Sequence, residues 1–445
     1  MRNLFGTLLN FFRHGGVRLY GSNIVYLFSE RAIAFIFGFA VGVYVARELG
    51  ADAYGLLTYA VSLSSIFGVI MTFGLESVMV RELVSRPAER AEILGTGAWL
   101  KAGGFLLMQL ILALYIVITR PPLRTGLLIM IISSGYLFQI LQVLEFYFQA
   151  EVCSKYISLS KLFSLTIYCS LRFVLILCGA DLIWFAVVEA LNMLCISAGY
   201  LWFYIRGGHG VGSWCFSRIA AVRMLKSGWP FYLSSLAIML YMRIDQVVIK
   251  SFLGNAEVGI YSIAVRLVEL FYFIPVIGCA SLLPALIRAK ERSEELYQRR
   301  LSGLFGLMFY MGLGCVLLCW CGSYLIRPVY GAEYAGAAGL LRSYSWVLLF
   351  IFTSQPLAQW YIVEGMQRYA LLFALGTALL NIGLNLLLIR FYGVYGAVSA
   401  TLGSYLLILL FGLFLPGTNK VTYLRISAPW RIISFCRDGL RGILQ

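Results

Sequence analysis

Eight ionisable residues lie near the middle of long apolar runs: Arg31, Lys101, Arg172, Glu189, Arg243, Asp245, Arg266 and Glu269. A charge at the centre of a bilayer costs about 2.5–3.5 kcal/mol on insertion scales, so a spanning helix that keeps one turns it towards protein or water. Five of the eight are basic, so a surface on which they converge is net positive. Arginine binds phosphate oxygens in pairs, which makes a diphosphate a suitable guest. The chemistry these residue types offer is recognition of an anion and exchange of charge partners. Bond-making chemistry lacks its parts. The two histidines, His14 and His209, fall in segments expected on the cytoplasmic side, and the ten cysteines are scattered singly without metal-ligand spacing. Cys319 and Cys321 flank Trp320 and point away from each other on a helix.

Spacing divides the candidates further. Arg31, Phe35, Gly38 and Gly42 share one helical face, a basic group above a glycine-lined surface, while Glu30 is rotated about 100° away. Arg266 and Glu269 are three apart and can pair on one face, as a structural lock or as a charge exchanged during a transport cycle. Arg243 and Asp245, in the stretch MRIDQ, are two apart and cannot share a face, so one meets a neighbouring helix while the other is free for a cavity. Arg31, Lys101, Arg172, Arg243 and Arg266 are therefore the candidate substrate contacts, and Asp245, Glu269, Glu30 and Glu189 the candidate coupling-ion or gating groups. The ion is a proton or sodium; no cofactor or bound metal is expected. Glu76, Arg81, Glu82, Glu145 and Glu364 sit near cytoplasmic ends of spans, where snorkelling or a gate salt bridge accounts for them equally well. Asn381 and Asn385, four apart, suit hydrogen bonds to a neighbouring helix, and Pro275 and Pro284 bend or interrupt their span.

The elements that must hold these residues are membrane helices. Of 445 residues 61% are hydrophobic and only 12% charged, more apolar surface than a soluble core can use. At about 20 residues per crossing, an all-α polytopic chain has about 12 spans, near 22–47, 53–81, 91–118, 121–149, 152–178, 180–206, 225–253, 256–288, 296–327, 335–364, 367–391 and 393–417. With the N-terminus inside, cytoplasmic segments carry about 22 Lys and Arg and the opposite side about six, so both termini are placed in the cytoplasm. That asymmetry absorbs most of the net charge of +15 and makes nucleic-acid binding unnecessary.

The domains expected are an interfacial N-terminal segment (1–21), an N-lobe of six spans (22–206), a cytoplasmic linker (207–224), a C-lobe of six spans (225–417) and a basic cytoplasmic or interfacial tail (418–445). Arg425, Arg431, Arg437 and Arg441 alternate with apolar residues in that tail, as suits a helix on anionic lipid or an unstructured positive-inside tail. The N-terminal apolar stretch Leu4 to Phe12 is short and interrupted by Asn10, so it does not read as a cleavable signal peptide. An offset of 204 residues superposes Leu49 and Gly50 on Leu253 and Gly254, Gly55 on Gly259 and Gly74 on Gly278, so one half looks like a copy of the other. Six spans per half make the repeats parallel, each a six-helix lobe. No loop exceeds about 20 residues, too little for the external catalytic loop of a membrane glycan polymerase.

Three stretches carry a family resemblance: VARELGADAYGLLTY from Val45 to Tyr59, TFGLESVMVRELV from Thr72 with EILGTG from Glu92, and YMRIDQVVIKSFLGNAEVGIYSIAVRLVELFYFIP from Tyr241 to Pro275. They resemble bacterial polysaccharide flippases of the Wzx type, within the multidrug/oligosaccharidyl-lipid/polysaccharide exporter superfamily. The resemblance implies a MATE-like fold of two six-helix lobes. It also implies a carrier of a lipid-linked oligosaccharide on an isoprenoid (undecaprenyl-type) diphosphate, moved from the inner to the outer leaflet of the bacterial inner membrane by alternating access. Arg31, Lys101, Arg243 and Arg266 are the basic residues matched to that anionic cargo. Partners implied are membrane lipids and, in the same pathway, a polysaccharide polymerase and glycosyltransferases. Two related readings stay open. One is a drug/cation antiporter of the same fold, which favours an acidic cavity; the other is a lipid II flippase, whose branch typically carries more spans.

Overall fold

The computed structural model describes residues 15–430, and every regular element among them is helical. The helices are α1 (Gly15–Gly68), α2 (Leu75–Ser85), α3 (Arg90–Thr119), α4 (Leu123–Ser134), α5 (Val143–Ala150), α6 (Ser154–Leu177), α7 (Leu182–Arg206) and α8 (Arg218–Leu253). They continue as α9 (Asn255–Glu269), α10 (Phe273–Arg292), α11 (Glu294–Ser323), the short α12 (Ile326–Tyr330), α13 (Gly336–Tyr344), α14 (Val347–Val363), α15 (Gln367–Tyr392) and α16 (Val394–Phe414).

Among the described residues, nine helices are long and apolar enough to cross a membrane, and ten if α13 and α14, bent by 43° at residues 345–346, form one span. The difference from twelve has two sources. Phe37–Ser85 counts once although α1 breaks at Gly50, and α8, carrying Arg218, Arg223, Lys226, Arg243, Asp245 and Lys250, is not among the nine. The chain is an all-α multi-pass membrane protein.

Two compact units form, one from the described parts of residues 1–49 and 59–239 and the other from 50–58 with 240–430. In the first, α6 lies along α7, and α2, α3 and α5 close a core of Leu75, Val78, Met79, Ile93, Leu94, Val143 and Leu144. Tyr200 of α7 and Met224 of α8 complete it. Here Gly74 is indispensable: its backbone is left-handed at φ 65°, and a Cβ would lie 2.2 Å from the carbonyl oxygen of Gly228.

In the second unit α15 lies along α16, α11 packs on α14 and α10, and α9 packs on α13. Residues 50–58 join it through a glycine pair. A Cβ on Gly55 would lie 1.9 Å from the carbonyl of Asn255, and one on Gly259 would lie 2.2 Å from the carbonyl of Ala51. The contact is reciprocal between positions 204 apart. Gly50 (φ 73°, ψ 170°) and Gly254 (φ 94°, ψ −173°) also share a conformation, so the sequence offset has a structural counterpart.

Three boundaries differ from expectation. Residues 15–21 are the first turns of α1, continuous with the first expected span, and residues 1–14 lie outside the described residues. The break between α9 and α10 falls at residues 270–272, ahead of Pro275, which occupies the first turn of α10, where a missing N–H is harmless. Residues 419–430 are helical and hydrogen-bonded to the second unit, on α11 and α14. The Thr418 hydroxyl donates to the Gly412 carbonyl (3.1 Å), and the Tyr310 hydroxyl, midway along α11, donates to the Pro429 carbonyl (3.0 Å). The remainder of the tail, with Arg431, Arg437 and Arg441, lies outside the described residues.

Candidate functional site

The second unit gathers the densest set of candidates. Two residues apart on α8, Arg243 and Asp245 both engage the neighbouring α9, eight residues apart along it, so neither stands free as their spacing suggested. Asp245 is 1% exposed and accepts hydrogen bonds from the Tyr261 hydroxyl on α9 and from the Gln246 N–H (2.8 Å). Arg243, more open, pairs with Glu269 of α9 at 3.3 Å. Glu269 thus meets Arg243 of the adjacent helix, and Arg266 donates instead to the hydroxyl of Tyr54 (3.3 Å). Tyr54 stands in the 50–58 segment, whose Ala51 N–H donates to Glu333 (3.0 Å).

Tyrosines surround the two carboxylates. The Tyr261 ring is edge-on to Tyr344 at 5.9 Å, and Tyr241 is edge-on to Tyr405 at 6.1 Å. Tyr272 lies within hydrogen-bond reach of Tyr344, and Tyr241 of Tyr405. Sequence reasoning passed over these residues. Their signal was the four-residue spacing of Tyr241 and Asp245 together with 28 tyrosines in an apolar chain, each buried hydroxyl of which needs a partner.

The first unit holds the other described candidates in two separate groups. Lys101 of α3, 2% exposed, donates to the side-chain carbonyl of Gln142 (2.8 Å) and the backbone carbonyl of Gln139 (3.3 Å), with its ammonium 5.4 Å from the Phe146 ring centre. Glu76 and Glu145 are its electrostatic neighbours. Arg172 and Glu189 pair with each other between α6 and α7, where Tyr168 also donates to Glu189 (2.8 Å) and its ring lies 4.4 Å from the guanidinium. This buried pair answers its own charges. Glu30 is half-buried in the electrostatic range of Tyr200, and Arg31 is on α1 with its side chain outside what is described. Three of the end-of-span acids are paired: Glu82 with Arg223 (3.1 Å), Glu145 with Lys161 (2.7 Å) and Glu364 with Lys290 (2.5 Å). Asn381 donates to Thr401 on α16 (3.3 Å), and Asn385 to Asn381 (2.9 Å).

Chemically, α8 and α9 of the second unit offer two guanidinium groups, Arg243 and Arg266, two carboxylates, Asp245 and Glu269, and a set of phenol hydroxyls around them. An anion approaching Arg243 competes with Glu269 for it. A proton or cation arriving at Glu269 or Asp245 changes the same balance.

Comparison with known proteins adds three findings. The profile of a family described as "Polysaccharide biosynthesis protein" matches residues 20–286. A proposed O-antigen transporter of Shigella dysenteriae is 25% identical over 399 residues, covering 87% of this chain and 98% of that protein. Among solved structures, an inward-facing multidrug-resistance MATE family transporter of the MOP superfamily superposes with a TM-score of 0.68 at 16% identity, over 92% of this chain and 99% of the other. The lipid II flippase MurJ, in an inward closed conformation, superposes with a TM-score of 0.66 at 16% identity, over 95% of this chain and 99% of the other.

Proposed function

The chain belongs to the polysaccharide biosynthesis protein family, and from that premise we propose that it is a flippase that carries an isoprenoid-diphosphate-linked oligosaccharide, an O-antigen or other surface-polysaccharide repeat unit, from the cytoplasmic to the outer leaflet. The observation that carries the reading is the family match over residues 20–286 of a chain whose helices have the MATE and MurJ fold. The relative described as an O-antigen transporter, matched over most of both chains, supports a saccharide cargo in particular.

In this reading Arg243 takes a phosphate oxygen and releases Glu269, whose freed carboxylate then accepts a proton or sodium ion. Guanidinium favours the phosphate because it offers parallel N–H donors to a multiply charged anion. Lys101, Arg31 and Arg266 supply further positive charge along the path, and the Arg172 pair with Glu189 opens only when a ligand outcompetes it. Asp245, held by Tyr261, is the second coupling candidate. The site is exposed alternately to the two leaflets, and the isoprenoid chain stays in lipid because burying it in protein gains nothing over the bilayer. The excess of Lys and Arg on one set of loops supports an orientation with both termini on the cytoplasmic side, and the saccharide cargo a cytoplasmic-membrane location. Glycosyltransferases precede it and a polymerase follows it.

Deletion of the gene tests the assignment. Lipid-linked glycan should accumulate, inaccessible to an external glycan-oxidising reagent, and export should return with the wild-type chain. Undiminished surface glycan in the deletion strain would sink the proposal.

A further inference from the structure

The basic tail was counted with the cytoplasmic charges, yet one of its arginines is built into the second unit. Arg425, half-buried, donates through Nε to the Thr353 hydroxyl (2.9 Å) and through Nη2 to the Phe350 carbonyl (3.0 Å), both on α14. A guanidinium has five N–H donors. Two are used on neutral oxygens, and among the described residues no carboxylate lies within ion-pair distance of it. A charge withdrawn from water without a counter-charge is costly, so such a group calls for an anion.

A second observation points the same way. The hydroxyl of Tyr361, also on α14, is buried without a hydrogen-bond partner, and the residue is only 6% exposed. Tyr361 and Tyr405 are the electrostatic neighbours of Arg425. A phosphate accepts from a guanidinium and from a phenol hydroxyl alike, so it suits the spare N–H donors of Arg425 and the unpartnered hydroxyl of Tyr361. The surroundings are those of a lipid. Phe411 and Phe414 of α16, and Tyr423, Ile426 and Trp430 of the docked segment, expose large apolar surfaces.

We propose that Arg425 and Tyr361 form a binding site for the phosphate of a membrane lipid, set within the second unit by the helix at residues 419–430. The phosphate comes either from a resident anionic phospholipid or from an isoprenoid diphosphate. The site stands independently of the transport reading, because binding is measured without export.

The test is lipid binding to the full-length protein in detergent, followed by native mass spectrometry with phosphatidylglycerol, an isoprenoid diphosphate and, as control, phosphatidylcholine. Tyr361→Phe removes only the unpartnered hydroxyl, so it should keep the wild-type melting temperature and weaken binding by about tenfold, the loss of one hydrogen bond to a charged group. Arg425→Gln should weaken it by about a hundredfold or more, and Arg425→Lys should recover part of the loss. Preference for phosphatidylglycerol identifies a resident lipid; preference for the isoprenoid diphosphate identifies the cargo. Wild-type protein that binds neither anionic lipid better than phosphatidylcholine, or a folded Tyr361→Phe and Arg425→Gln that both bind like the wild type, overturns the proposal.

Discussion

A charge pair such as Arg243 with Glu269 can hold two helices together or hold a binding group in waiting, and the two roles respond differently to exchange. Removing one member of a partly buried pair strands the other, at a cost of several kcal/mol in the worst case. A lock is indifferent to which helix carries which sign. A ligand group is not, because an anion needs the guanidinium where it stands. Arg243→Gln should therefore reduce glycan export by more than about tenfold while the protein remains in the membrane at its usual amount, as loss of a charge-assisted contact predicts. The exchanged double variant Arg243→Glu with Glu269→Arg should keep the protein level and leave export down. Export restored by the exchange would make the pair a lock. This site was half legible from sequence. Helical geometry gives Arg243 and Asp245 unlike directions, yet both find partners on α9, so the expectation that one stays free for a cavity is not met by these contacts. The pairing of Glu269 with Arg243 rather than Arg266 is a property of how α8 meets α9, which no spacing within α9 encodes.

Elements in this chain approach one another as closely as their glycines allow, and the closest approach is the crossing of residues 50–58 with α9. At Gly55 the obstacle to a side chain is the backbone carbonyl of Asn255, 1.9 Å from where a Cβ would sit, and at Gly259 it is the carbonyl of Ala51. Backbone cannot swing aside as a side chain can, so Gly55→Ala or Gly259→Ala should each cost about 1–3 kcal/mol, the range of overpacking. In the helix interior at Gly303 nothing lies within 4 Å, and Gly303→Ala should be neutral or stabilising by about 0.5–1 kcal/mol through helix propensity. Melting temperatures of the three purified variants check this, and a Gly55→Ala protein as stable as Gly303→Ala would refute the close crossing. The repeat offset made Gly55 and Gly259 visible as a matched pair. It could not show that they touch each other, because equivalence in sequence says nothing about which copy faces which. The docking of residues 419–430 was less legible still: alternating arginines and apolar residues fit a membrane surface as well as an unstructured tail, and the hydrogen bonds with Thr353, Phe350 and Tyr310 that tie the helix to the second unit exist only in three dimensions.

For the molecule as a whole, the spans were the most legible feature, because length and apolarity are imposed by the bilayer itself. Their orientation rests on the Lys and Arg asymmetry, and three free cysteines outside the described spans make it measurable. Cys178 follows α6 on the side proposed to be external, and Cys215 lies in the connector before α8 on the side proposed to be cytoplasmic; both are exposed. Cys153, in the turn between α5 and α6, is also on the side proposed to be cytoplasmic, but burial, reinforced by Glu151, pushes its thiol up and leaves less thiolate to react at neutral pH. In single-cysteine proteins carrying one of the three, a membrane-impermeant maleimide applied to intact spheroplasts should label Cys178 and spare Cys215 and Cys153. After the membrane is opened Cys215 should label readily and Cys153 slowly, gaining as the pH rises towards its thiol pKa. Labelling of Cys215 before Cys178 in sealed cells would invert the topology. It would place the end of α6 inside, and with it the direction in which the charged helices hand over their cargo.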